Sequence, residues 1–371
     1  MSTVVDIRKA DNPRDVIHLA VQLLARGELV AIPTETVYAL AAHSLLSDSI
    51  QKLRQTLQQA EQATCSLAVK SLDEALDFAP KMSLLAVKLA RRCWPGPVAL
   101  AVPVSDDEGL LRELPADVRE LVAAEGILRL QVSAHPVVQA ILRLMPGPLV
   151  TASALPEMAT AEQISDRFPD VTGLLIDDGP TRYAQAPTVV QVVESKWEII
   201  ESGVVAETTM RRLSSDVYLF VCTGNTCRSP MAEGLFRKMA TEKLQCMEDE
   251  LADRGYVVAS AGLAAAPACP PSPEAVKVLD RRGIDLRGHE SQALTDRLLE
   301  QADFVFTLTR RHRDMIVRER PELADRVKLL SADGTDVSDP IGGGIEEYEK
   351  CEREIERHVR AIVETIPSQS R

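Results

Sequence analysis

One short loop constrains what this chain can fold into more than any other stretch of its sequence. The apolar run 217–221 ends in Cys222, and the residues that follow read Thr-Gly-Asn-Thr-Cys-Arg-Ser-Pro. Pro230 is typical of the first turn of a helix, which we predict over 230–241. Five residues separate Cys222 from Arg228, a spacing that suits a loop around one phosphate group. A buried strand, this loop and a helix N-terminus together predict a parallel α/β fold with an anion site.

The residue types in the loop favour nucleophilic attack on phosphorus. Gly224 allows close backbone approach and unusual dihedral angles, while inward N–H groups and the helix end favour an anion. Arg228 offers a planar fork for two phosphoryl oxygens. These positive groups favour the thiolate of Cys222, to which Ser229 can donate a hydrogen bond, so Cys222 is predicted to form a phosphocysteine. The predicted supporting residues are Thr223, Gly224, Asn225, Thr226, Cys227 and Ser229.

The loop admits two other interpretations. Cys222 could be an ordinary buried cysteine at a strand end, with Arg228 on the surface of the following helix. A zinc site at Cys222 and Cys227 would need a second pair of ligands nearby, and the sequence offers none, so no metal is predicted.

The chain contains two segments that differ in sequence pattern, and both are predicted to belong to the α/β fold class. A polar stretch without apolar periodicity, 206–215, is interpreted as a linker between domains 1–205 and 216–371. In the second domain, apolar strands alternate with amphipathic helices, which predicts a parallel sheet covered on both faces. The predicted strands there are 217–222, 256–260 and 303–308, and the predicted helices are 230–241, 273–283, 310–318 and 345–366. In the first domain we predict helices at 15–25 and 84–90, and strands at 29–32, 98–102, 149–152 and 188–193.

Charge and cysteine content limit the function classes. The formal net charge is −13, so broad binding to nucleic acid or anionic membranes by charge alone is not expected. No stretch of about 18 apolar residues predicts a membrane span. Seven cysteines in no paired pattern are typical of reduced thiols, and we expect a cytoplasmic protein.

The second domain resembles the low-molecular-weight protein phosphatase family. The motif from Cys222 to Glu233 stands complete, Ser260-Ala-Gly matches a later turn, and Asp339-Pro340 matches the second signature. The resemblance implies a doubly wound four-stranded parallel sheet, a phosphorylated protein as substrate and no cofactor. It makes Cys222, Arg228 and Asp339 the catalytic residues, with Asp339 as general acid.

The same resemblance leaves the substrate side chain open between phosphoarginine and phosphotyrosine. Tyrosine-directed members carry an apolar residue where Thr226 stands and an aromatic residue after Asp-Pro, where this chain has Ile341. Both features favour the protein-arginine phosphatase branch, although Phe is common there at the position of Ile341. The resemblance also implies that Cys227 can form a reversible disulfide with Cys222. His289 and His312 are interpreted as surface residues.

The first domain resembles the YrdC-like family of threonylcarbamoyl-AMP synthases, which act in tRNA modification. The similar segments are 29–40 with Pro-Thr-Glu-Thr, Trp94-Pro-Gly-Pro, 151–154 and 187–190. The resemblance implies a twisted mixed sheet with helices and a small-ligand cleft. The predicted cleft residues are Thr34, Thr36, Tyr38, Ser153 and Thr188.

This domain departs from the family at positions that carry its cations. The family's Lys-x-Arg is absent near residues 58–60, and two further arginines are replaced by Gln131 and Glu201. The family's Ser-Ala-Asn reads Ser-Ala-Leu at 153–155, and Ala39 replaces a glycine. Since a triphosphate needs cations or a metal, we predict a degenerate domain kept for binding, regulation or packing. ATP and Mg²⁺ are expected only if the domain is active, and threonine, a nucleotide or RNA are its possible partners. Two alternatives remain: a bifunctional enzyme, and a nucleotide- or RNA-binding module with a silent phosphatase.

Overall fold

The computed structural model describes residues 3–58, 64–105, 107–153, 158–169 and 173–367. The chain divides into two compact units, Met1–Leu213 and Ser214–Arg371. Both are α/β, as the sequence predicts. No helix among the residues described is long and apolar enough to cross a bilayer.

The first unit is built on a ten-stranded sheet. Its strands are β1 Thr3–Asp6, β2 Val30–Ile32, β3 Ala39–His43, β4 Thr64–Ala68, β5 Val98–Pro103, β6 Ile127–Gln131, β7 Leu149–Ser153, β8 Leu174–Asp177, β9 Thr188–Val193 and β10 Lys196–Glu201. Its helices are α1 Pro13–Ala25, α2 Ser47–Leu57, α3 Leu72–Phe78, α4 Leu84–Cys93, α5 Ala116–Val122, α6 Pro136–Leu144 and α7 Ala161–Arg167. The strand order is β1-β8-β2-β3-β7-β4-β6-β5-β9-β10, with both parallel and antiparallel pairs. The predicted mixed sheet is therefore confirmed.

The segment 206–215, predicted as a linker, contains a helix, α8 Glu207–Ser214. Met210 is fully buried and belongs to the large apolar core of the first unit, against which Leu213 also packs. The backbone carbonyl of Leu213 accepts a hydrogen bond from Arg92 Nη1 at 2.8 Å. A single buried apolar residue thus holds a segment whose polar composition indicated a linker.

The second unit has a four-stranded parallel sheet in the order β12-β11-β13-β14. Its strands are β11 Asp216–Cys222, β12 Tyr256–Gly262, β13 Phe304–Thr307 and β14 Val327–Leu329, and its helices are α9 Arg228–Leu244, α10 Pro273–Asp280, α11 Asp296–Gln301, α12 Arg310–Glu319 and α13 Ile345–Glu364. The predicted doubly wound parallel sheet is confirmed, and the predicted elements agree with the structure to within a few residues.

Alternation along β11 decides which side of the sheet receives the cysteine. Tyr218, Phe220 and Cys222 lie in the core cluster that also contains buried residues of α9 and α13. Leu219 and Val221 lie in the cluster on the opposite face, as the two-residue period of a strand requires. Cys222 ends the strand beside Gly262, so its side chain lies at the carboxyl edge of the sheet, where parallel α/β folds bind ligands.

Candidate active site

The loop between β11 and α9 carries the predicted nucleophile and the predicted phosphate-binding arginine. Cys222 and Arg228 are 3% and 5% exposed, and Ser229 is fully buried. The neighbouring strand end is glycine for a steric reason. A Cβ at Gly262 would lie 2.6 Å from the Thr223 carbonyl oxygen and 2.9 Å from the Asn225 nitrogen. A side chain there would therefore displace the loop.

Two hydrogen-bonding groups contact the sulfur of Cys222. The backbone N–H of Asn225 donates to Sγ at 3.3 Å, and Ser229 Oγ lies 3.0 Å from it. Because Asn225 Nδ2 donates to Ser229 Oγ at 3.0 Å, that oxygen already accepts a hydrogen bond and can direct its own proton to the sulfur. Both contacts place a hydrogen-bond donor beside the sulfur, where it can stabilise charge that develops during a reaction.

Asn225 is fully buried and holds the loop in its shape. Its backbone has φ of 55°, so Asn225, and not Gly224, takes the left-handed conformation that we expected of the glycine. Asparagine tolerates this region better than most residues. Its side chain also donates to Ser260 Oγ at 2.9 Å and accepts from the Gln292 N–H at 2.9 Å. These bonds offset the strain of the turn.

Arg228 and Asp339 are brought together although they lie 111 positions apart in the chain. Nη2 of Arg228 donates to Oδ2 of Asp339, and Nη1 donates to the Val337 carbonyl at 3.3 Å. The arginine side chain is 6% exposed, whereas that of Asp339 is 42% exposed. The Arg228 guanidinium is thus buried and held by two acceptors, whereas the Asp339 carboxylate is partly exposed to solvent.

Two histidines that we expected on the surface contact the loop. His312 is 5% exposed, and its Nε2 lies 2.9 Å from Thr223 Oγ1. His289 is half-buried, and its Nε2 lies 2.8 Å from the Asn225 carbonyl oxygen. The surface assignment is therefore wrong for both, because tertiary packing brings these polar segments over the loop. No local sequence signal distinguishes His312 from the arginines around it.

His312 is uncharged at neutral pH. Burial, and then the nearby Arg228 guanidinium, lower the pKa of His312 to about 4. Its Nδ1 is buried and has no hydrogen-bond partner among the residues described. A neutral imidazole holds the Thr223 hydroxyl without adding a second positive charge beside Arg228.

The buried imidazole predicts a pH-dependent loss of stability. In the unfolded chain a histidine binds its proton near pH 6.5, whereas folded His312 does so only near pH 4. The contribution of neutral His312 to the free energy of unfolding is therefore fully present above about pH 6.5. It is lost as the pH falls towards 4, by up to about 3 kcal/mol. We expect His312→Asn to reduce this loss in urea unfolding at about pH 7, 5.5 and 4.5. If the free energy of unfolding changed with pH equally in the parent and in His312→Asn, this prediction would be contradicted.

Thr226 and Cys227 lie on the outer part of the loop. Thr226 is half-buried. Its backbone carbonyl accepts a hydrogen bond from the Ser272 N–H at 2.9 Å, and its Oγ1 lies 3.6 Å from Cys227 Sγ. Cys227 is 6% exposed, and its sulfur lies 3.3 Å from the Tyr348 hydroxyl on α13. Burial and this thiol raise the pKa of Tyr348 to about 12, so its hydroxyl keeps its proton.

Of the predicted N-terminal cleft residues, Thr34 lines a cavity among the described residues. Its Oγ1 lies 2.9 Å from Thr36 Oγ1, but Thr36 is only 1% exposed. Tyr38 is fully buried, with its hydroxyl donating to the Gly179 carbonyl at 2.8 Å. Thr188 is also fully buried and exchanges hydrogen bonds with Val205. Tyr38 and Thr188 are therefore structural. Ser153, at the end of β7, borders residues outside those described and lines neither cavity identified in this unit.

At the predicted cation positions the structure shows neutral or acidic side chains. Gln131 ends β6 and is 8% exposed. Glu201 ends β10 and accepts from Arg129 Nη1 at 2.6 Å, so it neutralises an arginine where the family would place another. The departures at 59–60 and at 154–155 lie outside the described residues.

Two family models match the chain. Residues 217–371 match low molecular weight phosphotyrosine protein phosphatase, and residues 22–203 match a model described as telomere recombination, the Sua5/YciO/YrdC family. The two matches do not overlap, as a fusion requires.

Three relatives represent the matches. A protein-arginine-phosphatase of Bacillus subtilis is 37% identical over 157 residues, covering 41% of this chain and 98% of the relative. A probable low molecular weight protein-tyrosine-phosphatase of Ralstonia nicotianae is 32% identical over 149 residues, covering 40% of this chain and 94% of the relative. A threonylcarbamoyl-AMP synthase of Pyrococcus abyssi is 26% identical over 182 residues, covering 48% of this chain, which spans only 51% of that relative's length.

Proposed function

Since the chain belongs, through residues 217–371, to the low molecular weight phosphotyrosine protein phosphatase family, we propose that it removes phosphate from phosphoarginine in proteins through a phosphocysteine. One observation carries the proposal. A buried cysteine sulfur contacts an N–H and a hydroxyl group in the loop that also carries Arg228, and Arg228 binds Asp339.

The first step transfers the phosphoryl group to sulfur. The Cys222 thiolate attacks phosphorus, an S–P bond forms, and the P–N bond to the arginine breaks. Arg228 exchanges its bond to Asp339 for two phosphoryl oxygens, and loop N–H groups hold the third. The leaving nitrogen takes its proton from the Asp339 carboxyl, so that arginine departs without developing a negative charge.

The second step returns the enzyme to its starting state. Water attacks phosphorus, and the Asp339 carboxylate takes one of its protons. The S–P bond breaks, inorganic phosphate leaves, and Cys222 is again a thiolate. Ser229 and the Asn225 N–H stabilise that leaving group.

Three observations favour arginine over tyrosine as the side chain that enters. The relative named a protein-arginine-phosphatase is 37% identical, against 32% for the one named a tyrosine phosphatase. Ile341, which is 70% exposed, supplies no aromatic ring for stacking against a phenyl group. The hydroxyl of Thr226 suits a polar guanidinium better than an apolar wall would.

Thr226→Ile is expected to shift the preference towards phosphotyrosine. The branched apolar side chain removes a hydroxyl and adds a wall for a ring, an exchange that changes discrimination by about 10-fold or more. The ratio of kcat/KM for phosphoarginine and phosphotyrosine peptides measures it. Thr208→Ile, on the exposed face of α8, is the matched control and should leave the ratio unchanged. An unaltered ratio in Thr226→Ile would remove Thr226 from the account of specificity.

The proposal itself is tested by giving the full chain two peptides of identical sequence, one with phosphoarginine and one with phosphotyrosine. We expect a higher kcat/KM for phosphoarginine. Higher activity on phosphotyrosine would replace the proposed substrate but keep the chemistry, and no activity on either peptide would reject both.

Cys227 is proposed to protect the nucleophile against oxidation. Peroxide converts the Cys222 thiolate to a sulfenic acid, with which the Cys227 thiol forms a disulfide and releases water. We expect dithiothreitol to restore activity in the parent after peroxide treatment but much less in Cys227→Ala. Equal recovery in the two proteins would contradict the role.

We propose that the first unit keeps the fold of its family without the synthase activity. Gln131 and the Arg129–Glu201 ion pair support this, because they leave less positive charge for a triphosphate. The test is threonine-dependent release of pyrophosphate from ATP with Mg²⁺ and bicarbonate, for which we expect the rate of an enzyme-free control. Release well above that rate would establish a bifunctional enzyme.

A further inference from the structure

A hydrogen bond beside the nucleophile takes no part in the phosphoryl transfer proposed above. Thr223 directly follows Cys222 and is exposed. Its Oγ1 lies 2.9 Å from Nε2 of the buried His312 on α12. Its backbone carbonyl accepts from the Ala264 N–H at 2.9 Å. Thr223 is therefore held through both its backbone and its side chain, although solvent reaches it.

The other ring nitrogen of His312 decides which atom of this pair carries the hydrogen. His312 Nδ1 is buried and has no hydrogen-bond partner in the described part of the chain. A buried N–H without an acceptor is rarer and costlier than a bare ring nitrogen, so the proton of the neutral imidazole lies on Nε2. Nε2–H then donates to Thr223 Oγ1. Since Oγ1 has no second partner among the residues described, the proton of the Thr223 hydroxyl is left for another acceptor.

This hydroxyl lies close to the groups that handle the phosphate. No residue separates Thr223 from the nucleophile Cys222. Burial lowers the pKa of His312 most, and of the charged groups Arg228 then lowers it and Asp339 raises it. The contact between Thr223 and His312 is therefore beside the phosphate-binding arginine and the proposed acid. A hydroxyl that already accepts an N–H is a stronger donor, because the first bond polarises the second.

We propose that Thr223 is a further catalytic residue, whose hydroxyl donates to an oxygen of the transferred phosphoryl group, and that His312 is the positioning residue that orients this hydroxyl. The inference rests on the proposed phosphoryl transfer, but not on whether arginine or tyrosine carries the phosphate. Neither residue forms or breaks a covalent bond. Together they add one fixed donor to those of Arg228 and the loop N–H groups, where negative charge has to be stabilised.

Binding of inorganic phosphate to the full chain, measured by titration calorimetry, tests the hydroxyl without requiring turnover. We expect Thr223→Val, which keeps the shape of the side chain, to weaken phosphate binding about 10-fold or more. Thr223→Ser keeps the hydroxyl and should stay close to the parent. The matched control is the exposed Thr365→Val, at the end of α13 and about 25 Å along it from Tyr348, which should bind as the parent does. Parent-like affinity in Thr223→Val would overturn the proposal.

Turnover shows which part of the substrate the hydroxyl contacts. We expect Thr223→Val to lower kcat/KM about 10-fold or more on a phosphoarginine peptide, and by a similar factor on p-nitrophenyl phosphate. A loss confined to the phosphoarginine peptide would place the hydroxyl against the guanidinium and overturn the phosphoryl assignment. A parent without turnover on any phosphorylated substrate would reject the proposed function, while the phosphate affinities would still decide the role of Thr223.

A double-mutant cycle tests whether His312 acts through Thr223. His312→Phe keeps a ring in the buried position but removes the N–H, and we expect it to weaken phosphate binding by less than Thr223→Val does. In the His312→Phe background, Thr223→Val should then cost a smaller factor than it costs in the parent. If thermal unfolding shows that His312→Phe is damaged, His312→Asn, whose side chain is too short to reach Thr223, replaces it. Losses that simply multiply would overturn the positioning role of His312.

Discussion

Cys222→Ser is expected to lower kcat on a phosphoarginine peptide by at least about 10⁴-fold, because loss of an essential nucleophile removes the covalent route altogether. A serine hydroxyl is a far weaker nucleophile at neutral pH than a cysteine sulfur, and the Asn225 N–H and Ser229 Oγ contact that sulfur here. The substitution changes little volume, so the loop and its anion affinity should persist. Phosphate binding by calorimetry checks this second expectation.

The matched control is Cys246→Ser. Cys246 follows α9, whose first residue is Arg228, and a helix of 17 residues places the two ends about 25 Å apart. This variant should retain the parent's kcat. Activity in Cys222→Ser within a few fold of the parent would mean that another group attacks phosphorus, or that a silent phosphatase accompanies some other function.

Asp339→Asn is expected to lower kcat on phosphoarginine peptides by about 10²–10³-fold, the range associated with losing a general acid. The asparagine keeps the shape of the side chain but has no acidic proton to give to the leaving nitrogen. The loss should shrink on p-nitrophenyl phosphate, whose leaving group departs as a stable anion. This difference between the two substrates separates loss of the acid from general damage to the loop.

Affinity for inorganic phosphate gives an independent reading of the same variant. Because Asp339 binds Arg228, removing its charge frees the guanidinium, and phosphate inhibition should stay equal or become stronger. Asp336→Asn is the control on the same loop, since Asp336 Oδ1 accepts from the backbone N–H of Arg310 at 2.7 Å. A kcat loss in Asp336→Asn equal to that in Asp339→Asn would assign the effect to the loop and not to an acid.

The phosphate loop could be predicted because its chemistry is local. The loop's elements all lie within a few residues of one another: the strand, the cysteine, the arginine and the start of the helix. Each of them, and the spacing between them, has a physical reason that the sequence alone displays. Even there the conformational detail differed, since Asn225 and not Gly224 has positive φ. Asp339 was found only through a resemblance, because nothing in an Asp-Pro pair says that it lies opposite a loop 111 positions earlier.

The remaining parts of the site depend on tertiary packing. His312 reaches Thr223 across 89 positions, and its surroundings of Arg310, Arg311 and Arg313 are typical of a solvated helix. Tyr348 lies in the segment 345–366 that was predicted to be a helix, but nothing in that prediction indicated its contact with Cys227.

The first unit shows a different limit of sequence analysis. Its motif letters agree with the Sua5/YciO/YrdC model that matches residues 22–203, and Tyr38 and Thr188 are fully buried in the structure. Glu35, which is 6% exposed and accepts a hydrogen bond from Ser133 Oγ, was not singled out because a carboxylate in a turn is ordinarily solvated. Only the three-dimensional structure shows that it is buried.

Trapping the covalent intermediate tests the central claim most directly. The full chain is mixed with a phosphoarginine peptide, quenched in acid during turnover, digested and analysed by mass spectrometry. We predict one phosphoryl group on the peptide that contains Cys222, attached to its sulfur, and no sulfur-linked phosphoryl group at this position in Cys222→Ser. Rapid turnover with an unmodified Cys222, or with the phosphoryl group on another residue of the chain, would contradict the account.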